Sequence, residues 1–284
     1  MISGSTRVFG VVGHPVAHSL SPRVHNALFR AFGLDAVYVP FDAPTEDAGA
    51  VVRAACALNV AGWNVTAPLK ERIVPLLDRL APEARAAGAV NVVVRGEDGV
   101  LTGHNTDGEG WMRALAEELG AVPRGSDVAV LGAGGTGRAV AAAAAAAGAR
   151  AVTLYNRTPA RAAHAADALA GHFPGTRFTG AALTSDTFAP RASAHGIVVN
   201  CTSGPGAPSV AELDVRALPA GATWTDVNYW MPDPPCLQAC ERSGVRSQRG
   251  LGMFVHQAAL SFHAFTGRQV DSAAIRRLLG PAGG

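Results

Sequence analysis

The sequence predicts an α/β protein of two domains, and three observations carry that prediction. The chain has 284 residues, which fits two domains at roughly 100–200 residues each. Strand-length apolar runs alternate with stretches of helical period along most of it, the pattern of βα units and parallel sheets. A turn broken by Pro and Gly, Ala121-Val122-Pro123-Arg124-Gly125-Ser126, separates one such series from a second. Hydrophobic residues make up 48% of the chain and charged ones 16%, so a large core is available and disorder is not expected. The net charge of +2 comes without a long basic block, which removes the clustered Lys and Arg that a nucleic-acid partner requires.

In order, residues 7–12 read as a strand. Ser21-Pro22 opens a helix to about residue 32, with Ser as cap and Pro at the first helical position. Residues 36–41 form a second strand, 45–58 a helix and 61–65 a third strand. Pro68 opens a short helix and 81–87 is another. Residues 90–95 and 100–104 form a hairpin across Gly96-Glu97-Asp98-Gly99. Asp107 caps a longer helix ending at Gly120. In the second series, 127–131, 151–155, 196–200 and 223–227 are strands, 136–147 and 159–170 helices. Residues 251–266 and 272–279 close the chain as helices.

The apolar run 139–147 is Ala-rich, short and preceded by Arg138, so it reads as a buried helix and no membrane span. The first residues, Met1-Ile2-Ser3-Gly4, lack the basic and apolar regions of a secretory signal. Of the cysteines Cys56, Cys201, Cys236 and Cys240, none pairs at zinc-site spacing. Cys236 and Cys240 lie four apart in a helix-like stretch. A reduced, cytoplasmic protein is the expectation. His14, His18, His104, His256 and His263 are not spaced as a metal site, and no metal is expected.

Chemistry enters at Gly132-Ala133-Gly134-Gly135-Thr136-Gly137. A G-x-G-x-x-G pattern alone is weak in a chain with 33 glycines, but this one ends a strand and opens a helix, as a dinucleotide-binding turn must. The first glycine permits the turn, the second lets backbone N–H groups approach a pyrophosphate, and the third lets helix and strand pack closely. The helix N-terminus favours the phosphate charge. The following strand runs into Tyr155-Asn156-Arg157-Thr158-Pro159-Ala160-Arg161. A carboxylate there would bond a ribose 2′-hydroxyl. Two arginines stand there instead and suit a 2′-phosphate, so NADP is the expected cofactor.

In the first half, polar groups gather on loops after the expected strands: Ser19 and Ser21, Asn64 and Thr66, Lys70, Asn91, then Asn105 and Asp107. Hydroxyls, amides, one Lys and one Asp suit a small polyhydroxylated acid. Lys70 and Asp107 are the candidate acid–base pair, because hydride reduction of a ketone needs a proton donor at the oxygen. Singly, each has a plainer account: Asp107 and Ser21 as helix caps, Lys70 as a solvated helix charge.

With these residues the chain resembles the shikimate/quinate dehydrogenase family. The shared elements are Ser19-Leu20-Ser21-Pro22, Asn64 to Lys70, Gly88-Ala89-Val90-Asn91, Asn105-Thr106-Asp107, Asn156 to Arg161, Asn200-Cys201-Thr202-Ser203-Gly204 and the helix bearing Gln257. They run in order from about residue 8 to 267. The resemblance implies Lys70 and Asp107 as catalytic residues. Ser19, Ser21, Asn64, Thr66, Lys70, Asn91, Asp107, Tyr229 and Gln257 would bind substrate. Gly132, Ala133, Gly134, Gly135, Thr136, Gly137, Asn156, Arg157, Thr158, Arg161, Thr202, Gly250 and Met253 would bind NADP. It implies a substrate domain of residues 1–107 and 250–284, completed by returning C-terminal helices, and a Rossmann-type, doubly wound NADP domain of 108–249. The reaction implied is the reversible reduction of 3-dehydroshikimate to shikimate in aromatic amino-acid synthesis, by way of chorismate, in a monomer or homodimer. Two departures bear on the substrate. Val92 follows Asn91 where the family usually has Thr, and the turn Asp226-Val227-Asn228-Tyr229-Trp230-Met231-Pro232 places its Pro one residue late. Quinate and amino-shikimate stay open as substrates, and a non-catalytic, ligand-sensing homologue is the alternative of a different class.

Overall fold

The computed structural model describes residues 2–202, 208–230 and 235–280. The chain divides into two compact units. Unit 1 is the chain up to Thr106 together with the chain from Val255 onward, and unit 2 runs Asp107–Phe254.

Unit 1 begins with β1 (Arg7–Gly13), α1 (Ser21–Ala31), β2 (Ala36–Asp42), α2 (Ala48–Ala57), β3 (Gly62–Val65), β4 (Arg79–Leu80), α3 (Pro82–Ala87), β5 (Val92–Arg95) and β6 (Leu101–His104). Unit 2 holds α4 (Asp107–Leu119), β7 (Asp127–Leu131), α5 (Gly135–Ala146), β8 (Ala151–Asn156), α6 (Pro159–Ala170), β9 (Arg177–Ala182), α7 (Ser185–Ala192), β10 (His195–Asn200), α8 (Pro208–Ala211), β11 (Thr223–Asp226), α9 (Pro235–Arg242) and β12 (Arg246–Gln248). The chain returns to unit 1 along α10 (Leu251–Thr266) and ends in α11 (Ser272–Leu279).

The sheet of unit 1 has the order β2-β1-β3-β5-β6-β4. It is mixed, not wholly parallel: β1 pairs parallel with β2 and β3, while β5 runs antiparallel to both β3 and β6. That reversal is the predicted hairpin, and it brings the start of β5 and the end of β6 to the edge where β1 and β3 end. One face is covered by aromatic rings from α1 and α10. Phe9 lies 5.2 Å from both Phe29 and Phe265, and His25 stacks on Tyr38 at 4.5 Å. Burying these five rings supplies much of the unit's hydrophobic stabilisation.

The sheet of unit 2 has the order β12-β11-β10-β7-β8-β9, parallel throughout. Counted within the unit this is the doubly wound arrangement, whose ligands bind at the carboxyl ends of the strands beside the switch point. Here the switch lies at β7, where the order reverses between β10 and β8.

Several local expectations need correction. Ser21 is the first residue of α1 and not its cap. Leu20 holds the cap position without a side-chain bond, and the Ser19 hydroxyl accepts from the Ser21 N–H at 3.3 Å. The helix α2 starts at Ala48, three residues late, because Asp47 accepts from the Ala50 N–H and caps it there. No α-helix follows Pro68. Residues 67–73 are turns, and the wholly buried Leu69 and Ile73 set their path through the core instead of a helical period. The stretch 121–126 is an internal turn of unit 2, since α4 packs on α5 and Gly125 N–H bonds the Gly148 carbonyl at 2.8 Å. The strands β4, β9 and β12 and the helices α7 and α8 went unpredicted. Strand β9 is only half-buried along its length, so it carries no apolar run to reveal it.

Candidate active site

The candidate residues of unit 1 meet at one edge of its sheet. Thr66 directly follows β3, and its N–H bonds the Val12 carbonyl at 2.9 Å, next to the end of β1. The His14 N–H reaches the Ala67 carbonyl at 2.9 Å. Asn91 immediately precedes β5, and the Val65 N–H bonds its carbonyl at 2.8 Å. The Val90 N–H bonds the Lys70 carbonyl at 2.9 Å, which ties the lysine's segment to the same corner. Ser19, Thr66, Lys70 and Gln257 are half-buried, while Ser21, Asn64 and Asn91 are buried. Gln257 stands on α10 one turn before Ser261, on the same helix face.

A neutral hydrogen-bond network, missed in the sequence, fixes this corner. The Tyr38 hydroxyl donates to Asn64 Oδ1 at 2.7 Å. Asn64 Nδ2 donates to the Asn91 carbonyl at 3.1 Å and to Ser261 Oγ at 3.0 Å. Asn91 Nδ2 donates to Thr106 Oγ1 at 2.9 Å, and the Thr106 N–H donates back to Asn91 Oδ1 at 2.8 Å. Both amide hydrogens of Asn64 are therefore engaged within the protein, so its role here is to hold the corner. Asn105 Nδ2 donates to the Ala89 carbonyl at 2.9 Å. Val92, where the departure removes a hydroxyl, is wholly buried. Two of the flanking histidines pair with carboxylates, His14 with Asp42 at 2.8 Å and His104 with Glu83 at 3.4 Å.

In unit 2 the glycine turn follows β7. Gly132 has φ +105°, a conformation that L side chains rarely adopt, and a Cβ on Gly137 would overlap the Gly132 carbonyl oxygen. The helix α5 then starts behind Gly134 with no side-chain cap, leaving first-turn N–H groups for an anion. The Ala133 N–H bonds Asn156 Oδ1 at 3.3 Å, and Asn156 Nδ2 bonds the Thr158 carbonyl at 3.1 Å. Arg157, Thr158 and Arg161 are exposed just beyond β8. The donor set fits NADP: a glycine cradle with backbone donors, and two solvent-facing guanidiniums with no carboxylate where a 2′-phosphate would lie. Asp107, 5% exposed, sits in the first turn of α4 and accepts from Thr136 Oγ1 at 3.1 Å.

A second network lies at the ends of β10 and β11. The Asp226 carboxylate accepts from Asn200 Nδ2, the Asn228 N–H and Asn228 Nδ2, each at 2.8 Å, and from Cys236 Sγ at 3.9 Å. Asn200 Oδ1 in turn accepts from the Thr202 N–H at 3.1 Å and hydroxyl at 2.7 Å. Burial raises the Asp226 carboxyl above its ordinary value despite these bonds. Tyr229 packs on Phe254 at 4.8 Å and Trp230 at 5.1 Å. Gly250 is buried, and a Cβ there would strike the Val227 carbonyl; Met253 is 6% exposed. Ser203, Gly204, Met231 and Pro232 lie outside the described residues.

A doubly wound parallel sheet with such a turn, joined in one chain to a unit that presents hydroxyls, amides and a lysine, defines a nicotinamide-nucleotide oxidoreductase of a small polar substrate. Comparisons with known proteins make the class particular. Residues 11–93 match the shikimate dehydrogenase substrate binding domain, 250–279 the shikimate 5'-dehydrogenase C-terminal domain, and 128–249 the saccharopine dehydrogenase NADP binding domain. A shikimate dehydrogenase (NADP(+)) of Geobacter metallireducens is 43% identical over 278 residues, covering 97% of this chain and 96% of the relative. A shikimate 5-dehydrogenase of Listeria monocytogenes, solved with shikimate and NAD, superposes with a TM-score of 0.85 at 32% identity, covering 98% of each chain. A quinate dehydrogenase of Corynebacterium glutamicum, solved with NAD, superposes at 0.84 with 30% identity, covering 96% of this chain and 98% of that one. The chain belongs to the shikimate dehydrogenase family. It is an NADP-dependent oxidoreductase acting on a CH–OH group, interconverting 3-dehydroshikimate and shikimate.

Proposed function

We propose that Lys70 and Asp107 share the proton transfer of this reaction, with Ser19, Ser21, Thr66, Asn91, Tyr229 and Gln257 orienting the substrate and Asn64 fixing the corner behind it. NADPH supplies the hydride when bound at the turn after β7. The chain's own part is to deliver a proton to the oxygen that becomes the hydroxyl. Residues 1–107 and 250–284 would hold the substrate. Residues 108–249 would hold NADP, through Gly132 to Gly137, Asn156, Arg157, Thr158, Arg161, Thr202, Gly250 and Met253. The observation that carries this reading is the corner of unit 1, where the segments bearing Thr66, Lys70 and Asn91 are hydrogen-bonded to one another.

Quinate is a second substrate reading, favoured by the likeness to the quinate dehydrogenase. We place the protein in the cytoplasm, in aromatic amino-acid synthesis, as a monomer or homodimer without nucleic-acid or membrane partners.

The test is absorbance at the nicotinamide band with shikimate, quinate and amino-shikimate, each with NADP and NAD. Lys70→Ala is expected to lose most of kcat while substrate binding changes less, and an unchanged kcat sinks its proton-transfer role. Arg157→Ala is expected to raise KM for NADP far more than for NAD. Equal effects on the two would show that Arg157 does not hold the 2′-phosphate.

A further inference from the structure

The Asp107 carboxylate has a neighbour that no glycine pattern names. Thr136 occupies an unspecified position of G-x-G-x-x-G, so the pattern leaves its side chain open. In the structure that side chain points out of the turn, and its hydroxyl donates to Asp107 Oδ2 at 3.1 Å. Both residues belong to unit 2.

Close helix packing makes the contact. A Cβ on Gly108 would come within 2.5 Å of the Ala139 carbonyl oxygen and 2.8 Å of Ala143 Cβ. Only glycine on α4 and alanine on α5 let the helices approach this far, and the approach sets the first turn of α4 beside that of α5. Asp107 therefore lies at the positive end of its own helix and accepts a hydroxyl from the start of the next. At 5% exposure the carboxylate depends on donors from the protein itself for its hydrogen bonds.

We propose that Thr136 is a positioning residue for the proton transfer. Its hydroxyl fixes the rotation of the Asp107 carboxylate and ties it to the geometry of the glycine turn. The inference rests on the reading of Asp107 as a proton-transfer residue, and the variants below separate the two.

Thr136→Val keeps the shape and removes the donor; Thr136→Ser keeps the donor. For Thr136→Val, kcat falls by on the order of tenfold, the effect of one lost hydrogen bond to a charged group. The dependence of kcat on pH changes as well, because the carboxylate has lost one of its donors. NADPH affinity, read by fluorescence titration of the ligand-free enzyme, changes less than kcat. Thr136→Ser restores both kcat and the profile. In an Asp107→Asn background, Thr136→Val adds no further loss, since the hydroxyl acts through that carboxylate. A wild-type profile for Thr136→Val, or a loss that adds in full to Asp107→Asn, overturns the proposal. So does a loss of NADPH affinity with the kcat profile unmoved, which makes the hydroxyl a cofactor contact only. Wild-type kcat in Asp107→Asn alone overturns the proton-transfer reading itself.

Discussion

The two units solve the same problem with different chemistry. Each must hold loops in place at the carboxyl edge of a sheet, where hydrogen-bonding groups are buried without strand partners. Unit 1 uses neutral groups: Tyr38, Asn64, Asn91, Thr106 and Ser261 satisfy one another. Unit 2 uses one buried carboxylate, Asp226, as the common acceptor for Asn200, Asn228 and Cys236. A neutral network is built of pairwise bonds, each worth about 1 kcal/mol net. A shared carboxylate concentrates several charge-assisted bonds on one residue and bears a desolvation cost for doing so. Loss of any member should therefore be tolerable in unit 1, whereas unit 2 has a single point of failure.

The largest effect that tests this contrast is Asp226→Ala. It removes the acceptor of three nitrogen donors and one thiol, and leaves the loops at Thr202 and Asn228 without their anchor. We expect unit 2 to lose roughly 3–4 kcal/mol, from several buried donors stranded at about 1–3 kcal/mol each with partial relaxation. Amide exchange of β10 and β11 reads this directly, and NADP affinity falls with it. A cost below about 1 kcal/mol, the size of a single neutral bond, would erase the distinction between the units.

Next in size is Tyr38→Phe, which removes one donor from the neutral network. Asn64 Oδ1 is then buried without that partner, and unit 1 loses about 1–2 kcal/mol. Asn64 keeps both Nδ2 bonds, so the corner stays in place. The KM for shikimate should stay near wild type while the exchange of β3 rises. A large rise in KM would mean that the network is a chain in which one break frees the rest, and unit 1 would resemble unit 2 after all.

Much of this was legible in the sequence, and the exceptions share a cause. The glycine turn, Asn156 to Arg161, Lys70 and Asp107 stand out because their chemistry needs particular residue types at fixed spacing. The strands β1, β7 and β8 stand out because buried parallel strands are near-continuous apolar runs. The network residues did not. Tyr38 lies 26 positions from Asn64, and Ser261 lies 197 positions from it, so no local pattern announces their meeting. Asp226 was visible only as part of a turn, because its four donors come from β10, α9 and its own loop. Ser21 and the path after Pro68 were misjudged for a related reason, since local capping and helix rules yield to burial of distant side chains.

The smallest effect sharpens the contrast through pH. Each unit buries a histidine whose charged form burial disfavours. Burial lowers His25 in unit 1 from 6.5 to about 3, and His195 in unit 2 from 6.5 to about 4. His195 Nε2 shares a hydrogen bond with the Tyr155 hydroxyl at 2.9 Å, whereas neither ring nitrogen of His25 has a hydrogen-bond partner among the described residues. A lowered value means that the unfolded chain takes up the proton first as pH falls. Stability is therefore fully present above about 6.5 and declines below it, by at most about 1.4 kcal/mol per pH unit for each histidine. In unit 2 Asp226 works the other way. Its value in the fold is raised, so the folded state takes up that proton first, and acid restores part of what His195 loses. Unit 1 has no such counterweight in its neutral network. Between pH 6 and 4, amide exchange of α1 and β3 should therefore rise more steeply than that of β8 and β11. His25→Phe should flatten the slope in unit 1 and leave stability at neutral pH unchanged or higher, since it replaces unpaired ring nitrogens with a ring suited to Phe29, Phe262 and Phe265. Equal slopes in the two units, or a slope in unit 1 that survives His25→Phe, would show that the choice between amide and carboxylate leaves no mark on their response to acid.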